Sequence, residues 1–192
     1  MSTDRAYSLS LALPDWAAAL EDTPRRCAGD LDRMRFVIDL ARRNVETGSG
    51  GPFGAAIFSR PDGRLLALGV NSVLRLKSSL LHAEMHAILR AQARLGRHGL
   101  RAPDVPEYEL FASCEPCAMC LGGILWSGVR RLVCAAPSAS ARAIGFDEGP
   151  VDAASYDYLV GAGIEVVRSV LAEEATAVIQ RYAALGGTIY NG

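Results

Sequence analysis

The sequence contains no long apolar run, although half of its 192 residues are hydrophobic. Its apolar stretches fall well short of the roughly 20 residues that cross a bilayer, and the least interrupted ones alternate with glycine, so a soluble chain with no membrane partner is expected. Basic excess is also missing. Twenty Lys and Arg stand against 21 Asp and Glu, for a net charge of -1 and a pI near 6.3. A protein that tracks a phosphate backbone normally carries the opposite bias, so no nucleic-acid partner is expected. No basic and apolar leader opens the chain. The five cysteines form an odd set with three in one cluster, which argues against a disulfide framework and implies a reduced, cytoplasmic setting. No second Cys-x-x-Cys lies outside that cluster to complete a zinc ribbon, and its flanks are unlike those of a thioredoxin. The length suits one well-cored domain with embellishments.

What is present centres on Glu115-Pro116-Cys117-Ala118-Met119-Cys120 and, upstream, His82-Ala83-Glu84. Pro116 suits the first turn of a helix, since its missing N–H would have no partner there. A helix is therefore expected to begin near Cys117, where the positive end of the helix dipole favours thiolate, the zinc-binding form. Cys117 and Cys120 lie one turn apart and can face one ion, with His82 as third ligand and a fourth position left for water, the pattern of a catalytic site. Glu84 follows the histidine by two residues and is placed to carry a proton from a water whose pKa zinc lowers from about 16 to about 7. A four-ligand structural site completed by Cys114 is the competing arrangement; otherwise Cys114 is a small buried hydrophobe. His86 is four residues after His82, but Glu84 is misplaced for a His-Glu-x-x-His protease, so His86 is read as helix packing.

Along the chain, residues 1 to about 30 read as an irregular arm, with a short helix near Asp15 to Leu20 anchored by Leu13, Trp16 and Leu20. The domain proper is expected over 31–192. Leu31 to Glu46 has helical periodicity. A glycine-rich turn, Gly48 to Gly51, delivers a strand through Ser59; no lysine follows as a phosphate-binding loop requires, so the turn reads as a close backbone approach to a ligand. Pro61-Asp62-Gly63 turns into a second strand, Leu65 to Val70. A loop from Asn71 to Leu81 leads to a helix from His82 to Leu95, with Arg90, Arg94 and Arg97 expected as a solvated stripe. A strand from Tyr108 to Ala112 precedes the cysteine helix, in which Gly122 and Gly123 permit close packing. Strands at Arg131 to Ala135 and Ile164 to Arg168 flank a long acidic loop, Pro137 to Ser155. Its Phe146, Asp147 and Glu148, between glycines, read as a lid or substrate clamp, with a solvated loop as the alternative. A helix from Leu171 to Leu185 follows. This order implies a mixed sheet with helices on both faces.

His82-Ala83-Glu84 and Pro116-Cys117-Ala118-Met119-Cys120 resemble the zinc motif of the cytidine deaminase superfamily. Gly51-Pro52-Phe53, Trp126-Ser127-Gly128-Val129-Arg130, Gly145-Phe146-Asp147-Glu148-Gly149-Pro150 and Ile189-Tyr190-Asn191 resemble its bacterial guanine deaminase branch, some members of which act on the triazine ammeline. The resemblance implies a three-layer α/β/α fold with a five-stranded mixed sheet, one catalytic zinc (Zn2+) per subunit held by His82, Cys117 and Cys120, and a homodimer. It also implies hydrolytic deamination of a free nucleobase, guanine to xanthine and ammonia, in purine catabolism. Glu84 and Glu148 would move protons. Asn71 would hold the base, with Phe53, Ala83, Trp126 and Asp147 as further substrate contacts. The alternatives are a transfer-RNA adenosine deaminase, a cytosine or cytidine deaminase and, from another class, a zinc-stabilised interaction module.

Overall fold

The computed structural model describes residues 11–191; the first ten residues of the expected arm lie outside that range. In chain order the elements are α1 (Asp15–Asp22), α2 (Asp30–Glu46), β1 (Gly54–Ser59), β2 (Leu65–Val70), α3 (Val73–Leu76), α4 (Ala83–Leu95), β3 (Tyr108–Cys114), α5 (Ala118–Ser127), β4 (Arg131–Ala136), α6 (Ser138–Ala143), α7 (Ala153–Gly161), β5 (Glu165–Val167) and α8 (Ala172–Ala184). The strands form one five-stranded sheet in the order β2-β1-β3-β4-β5. β1 is antiparallel to both β2 and β3, while β3, β4 and β5 run parallel.

Alternation along the strands builds two cores, as a sheet covered on both faces requires. Ala56, Phe58, Phe111, Val133 and Ala135 face α1, α2 and α8, where Met34, Leu40 and Ile179 are buried. Ala55, Ile57, Leu110, Ala112, Leu132 and Cys134 face α4, α5 and α7. The second layer sets the site, because α4 and α5 lie side by side on that face. Gly123 makes this possible: a Cβ there would sit 2.3 Å from Met85 Sδ, whereas one at Gly122 would meet nothing within 4 Å. Close packing therefore falls to one glycine of the pair.

Several expectations need correction. The Asn71 to Leu81 loop contains α3, and the Pro137 to Ser155 loop contains α6 and leads into α7. α7 escapes notice because its start is marked by a short capping box, Asp152 with Ser155, rather than by an amphipathic stripe. Arg90 and Arg94 are not a solvated stripe. Both donate to Glu21 of α1, whose carboxylate also accepts the Leu68 main-chain N–H at 3.0 Å. That pairing fastens α1 along β2, an edge strand that would otherwise offer its free N–H groups. Arg97 pairs with Asp104. Trp16 does anchor the arm, with Leu13 buried beside it and its Nε1 donating to Ser49 Oγ at 3.2 Å.

Candidate metal centre and active site

His82 and Cys117 are the N-cap residues of α4 and α5, both with extended backbone. Pro116 thus precedes the cap instead of occupying the first turn, and Cys117 stands just outside the helix. The electrostatic consequence survives, since an N-cap side chain lies among the unpaired N–H groups of the helix end. Cys120 is one turn inside α5. His82 Nδ1 lies 3.5 Å from Cys117 Sγ and 3.7 Å from Cys120 Sγ. All three ligand atoms lie within 4.8 Å of one another. Tetrahedral zinc, with bonds of about 2.3 Å to sulfur and about 2.0 Å to nitrogen, places such ligand atoms roughly 3.5–3.8 Å apart. The donor set and its spacing fit zinc.

Cys114 does not join them. It lines the same pocket, but its thiol reaches toward the Pro137 carbonyl at 3.9 Å, and among the described residues the metal-competent group is His82, Cys117 and Cys120 alone. Burial pushes the Cys114 thiol well above its usual range, as expected of a thiol kept in the core. The closed four-ligand arrangement is therefore set aside. Cys117 behaves oppositely: a hydrogen bond from Cys120, with His82 assisting, pulls it down to about 4 against the opposing effect of burial. Burial would lower the His82 pKa, but the Cys117 contact and the neighbouring Glu84 hold it raised.

The strand after which the cysteines follow is fixed by Glu115. Its main-chain N–H donates to Ala136 O at 2.8 Å, and its buried carboxylate accepts from Ser138 N–H at 2.9 Å and from Arg168 Nε at 2.6 Å. The acidic loop is then seated on the open end of α5, where Ala118 N–H donates to the Glu148 carbonyl at 3.0 Å. This bond brings Glu148 to the thiols from a position 28 residues beyond Cys120 in sequence. Glu84 and Glu148 are both buried and line the pocket. Burial, reinforced by the negative charge at Cys117, raises Glu84 to about 6 and Glu148 to about 7.

Asn71, Phe53 and Asp147 line the same pocket. Asn71 is buried, its Oδ1 accepts weakly from Val73 N–H at 3.4 Å, and its Nδ2 has no partner among the described residues. Asp147 is largely outward: its Oδ1 accepts from Gly149 N–H at 2.9 Å, closing a turn. Two expected contacts are elsewhere. Trp126 is 80% exposed on α5 and does not line the pocket, and Ala83 is buried against the β2 side, where its carbonyl would lie 2.1 Å from a Cβ on Gly69. Phe146, expected in a lid or substrate clamp, lines the pocket, as does Tyr190, to which sequence reasoning assigned no role. Their rings stand 5.0 Å apart, with Phe53 5.2 Å from Phe146. Tyr190 is brought in by Asn191, which accepts from Asp147 N–H at 2.9 Å and donates to Gly145 O at 3.0 Å. The only signal was the Ile189-Tyr190-Asn191 resemblance, since no local pattern links the chain's end to residue 147.

Comparison with known proteins agrees with this geometry. Residues 29–136 match the family described as the cytidine and deoxycytidylate deaminase zinc-binding region. The guanine deaminase of Bacillus subtilis is 38% identical over 115 residues, covering 60% of this chain and 69% of that protein. A tRNA-specific adenosine deaminase of Haemophilus influenzae is 30% identical over 154 residues, covering 80% of this chain and 82% of that one. A solved structure of the guanine deaminase from Nitrosomonas europaea superposes with a TM-score of 0.89 at 42% identity, covering 92% of this chain and 97% of that one. The NE0047 protein in complex with 2,6-diaminopurine superposes with a TM-score of 0.91 at 43% identity, over 96% and 97% of the two chains. With its matched zinc-binding region spanning more than half of its length and its ligand triad assembled, the chain belongs to the cytidine and deoxycytidylate deaminase family.

Proposed function

We propose that the protein is a zinc-dependent hydrolase that deaminates a free nucleobase, guanine to xanthine and ammonia, with ammeline as a second substrate. One observation carries this reading: a single pocket gathers three metal ligands, two buried carboxylates with raised pKa, and an amide donor without a protein partner. Structures of NE0047 with 2,6-diaminopurine, and of its asparagine and glutamate variants with 8-azaguanine, support a guanine-like occupant.

His82, Cys117 and Cys120 would hold the zinc, which when bound supplies the Lewis acidity that brings a water's pKa to about 7. Glu84, raised by burial to about 6 in the metal-free chain, is placed to take a proton from water and return it to the ring. Glu148, raised by burial to about 7 in the metal-free chain, can carry a proton to the leaving amine. A carbon–oxygen bond forms, the carbon–nitrogen bond breaks, and ammonia leaves. Asn71 Nδ2 donates to an acceptor on the base, while Phe53, Phe146 and Tyr190 bound the ring with apolar surface.

Ammonia release from zinc-loaded protein, measured against guanine, ammeline, cytosine, cytidine, guanosine, adenosine and a transfer-RNA anticodon stem, tests the reading. Guanine is expected to be turned over fastest. Rapid turnover of the RNA at moderate salt with guanine inert would overturn it in favour of the transfer-RNA reading, and a metal-bound protein inert on all seven would favour an interaction module. Two further statements belong to the same proposal. Five unpaired, buried cysteines support a cytoplasmic, reducing setting. The exposed Trp126 supports a homodimer; sedimentation velocity is expected to give twice the 20.4 kDa chain mass, and a 20.4 kDa species would contradict it.

A further inference from the structure

Asn44 lies on α2's buried face, in the helix's last turn, and is fully enclosed. It makes no contact with the pocket, yet its side chain is committed to the two backbone segments that build the pocket's wall. Nδ2 donates to Gly51 O at 2.8 Å and to Asn71 O at 3.0 Å. Its main-chain carbonyl accepts from Ser49 N–H at 2.9 Å and Gly50 N–H at 3.3 Å, while its Oδ1 is buried with no partner among the described residues. One asparagine therefore ties the glycine turn after α2 to the chain leaving β2.

The turn is pressed against its neighbours on both sides. A Cβ on Gly50 would sit 2.1 Å from Asn71 O and 2.8 Å from Asn44 Nδ2, and one on Gly51 would sit 2.0 Å from the Tyr190 hydroxyl. The close backbone approach expected of this turn is made to two residues that line the pocket, Asn71 and Tyr190. Asn71 is held at its main chain by Phe53 O, which accepts its N–H at 3.0 Å, and by Asn44. Its side-chain Nδ2 is left buried and without a partner. A buried amide that lacks a partner is costly, and the arrangement persists because the backbone beneath it is fixed from α2.

Resting on the proposed guanine deamination, we infer that Asn44 is a positioning residue for base recognition, acting through Asn71. It contributes neither to zinc binding nor to proton transfer. It sets the backbone from which Asn71 presents its amide, and so it belongs to ground-state affinity for the base.

The test is a double-mutant cycle on zinc-loaded protein. Asn44→Ala removes both donors, and Asn44→Ser retains one shorter hydroxyl donor. Dissociation constants for 8-azaguanine and steady-state constants on guanine are measured for each, with and without Asn71→Ala. The expected result is KM and Kd raised about tenfold by Asn44→Ala and by less for Asn44→Ser, kcat changed less than about threefold, and zinc content unchanged. In the Asn71→Ala background the Asn44 substitutions should have little further effect. Full additivity of the two losses, or folded Asn44 variants that bind 8-azaguanine as the parent does, would overturn the inference. A parent protein inert on guanine would instead sink the activity assignment on which it rests. If neither variant folds, a crystal structure of the parent with 8-azaguanine decides: Asn71 Nδ2 bonded to the base with Asn44 still on both carbonyls supports the role, and Asn44 turned from the Asn71 carbonyl contradicts it.

Discussion

At the start of β3, Glu109 is fully buried between Arg33 and Arg131, and Arg131 is in turn paired with Asp30 at 2.6 Å and Glu165 at 2.8 Å. At the opposite end of the same sheet, Glu84 and Glu148 are buried almost as completely, but among the described residues neither has an arginine or lysine at ion-pair distance. The first end pairs its carboxylates with arginines; at the second, burial outweighs the nearby His82 and Arg142 charges. Burial that is only partly compensated raises a carboxyl pKa toward neutrality, and it is the feature that separates a site of proton transfer from a structural ion cluster. Asn71, with its unpartnered amide, belongs to the second end.

The largest effect is expected where the metal is held. His82→Ala or Cys117→Ala should reduce zinc from about one per chain to near none and remove activity, whereas Cys114→Ala should keep both; metal analysis beside turnover distinguishes them. Next comes Glu148→Gln, expected to retain zinc and lower kcat on guanine by about 100-fold with a smaller change in KM. Asp147→Asn should be milder, since that carboxylate faces outward and closes a turn. Near-normal kcat in the Glu148 variant would reduce that residue to loop structure.

Changes at the other end should trade activity for stability. Glu109→Gln leaves Arg33 and Arg131 imperfectly compensated and is expected to cost about 3 kcal/mol in denaturant unfolding, with zinc and kcat little changed. The two ends should also respond to pH with opposite sign. The Arg131 hydrogen bond holds Asp30 below its usual value of 3.8, so its contribution is present above that value and is lost as the pH falls through the folded pKa. Glu84, raised by burial from 4.5 to about 6, acts in reverse: it binds its proton more tightly when folded, so the metal-free protein should lose stability as pH rises through that window. The size of that loss is on the order of 2 kcal/mol. Urea midpoints of the metal-free parent and of Glu84→Gln at pH 4.5 and 6.5 check the sign by difference, because Cys117 and Glu148 titrate in the same window in both.

The sequence was most informative where function depends on local spacing. The offsets His82 to Glu84 and Cys117 to Cys120 report directly which groups share a helix end, and alternation in Ala55 to Phe58 reports the two faces of a strand. Features built by pairing distant segments were not legible. Glu21 meets Arg90 across 69 residues, Asn44 meets Asn71 across 27, and Asn191 meets Asp147 across 44. In each case one polar side chain satisfies another segment's backbone or charge, which no periodicity records. Trp126 shows the opposite case: its type suggested stacking, but its place on α5 keeps it off the wall of this chain's own pocket. α7 was hidden because a nine-residue helix capped by Asp152 has too few turns to show a stripe.

The central claim is that Glu84 is buried and unpaired because it carries protons, and the most direct measurement compares the Glu84→Gln protein with its parent for zinc content, thermal midpoint and single-turnover release of ammonia from guanine. The account predicts about one zinc per chain in both, a midpoint for the variant equal to or above the parent's, and a rate lowered about 1000-fold or more. A Glu84→Gln protein that holds its zinc and releases ammonia from guanine at near the parent rate would contradict it.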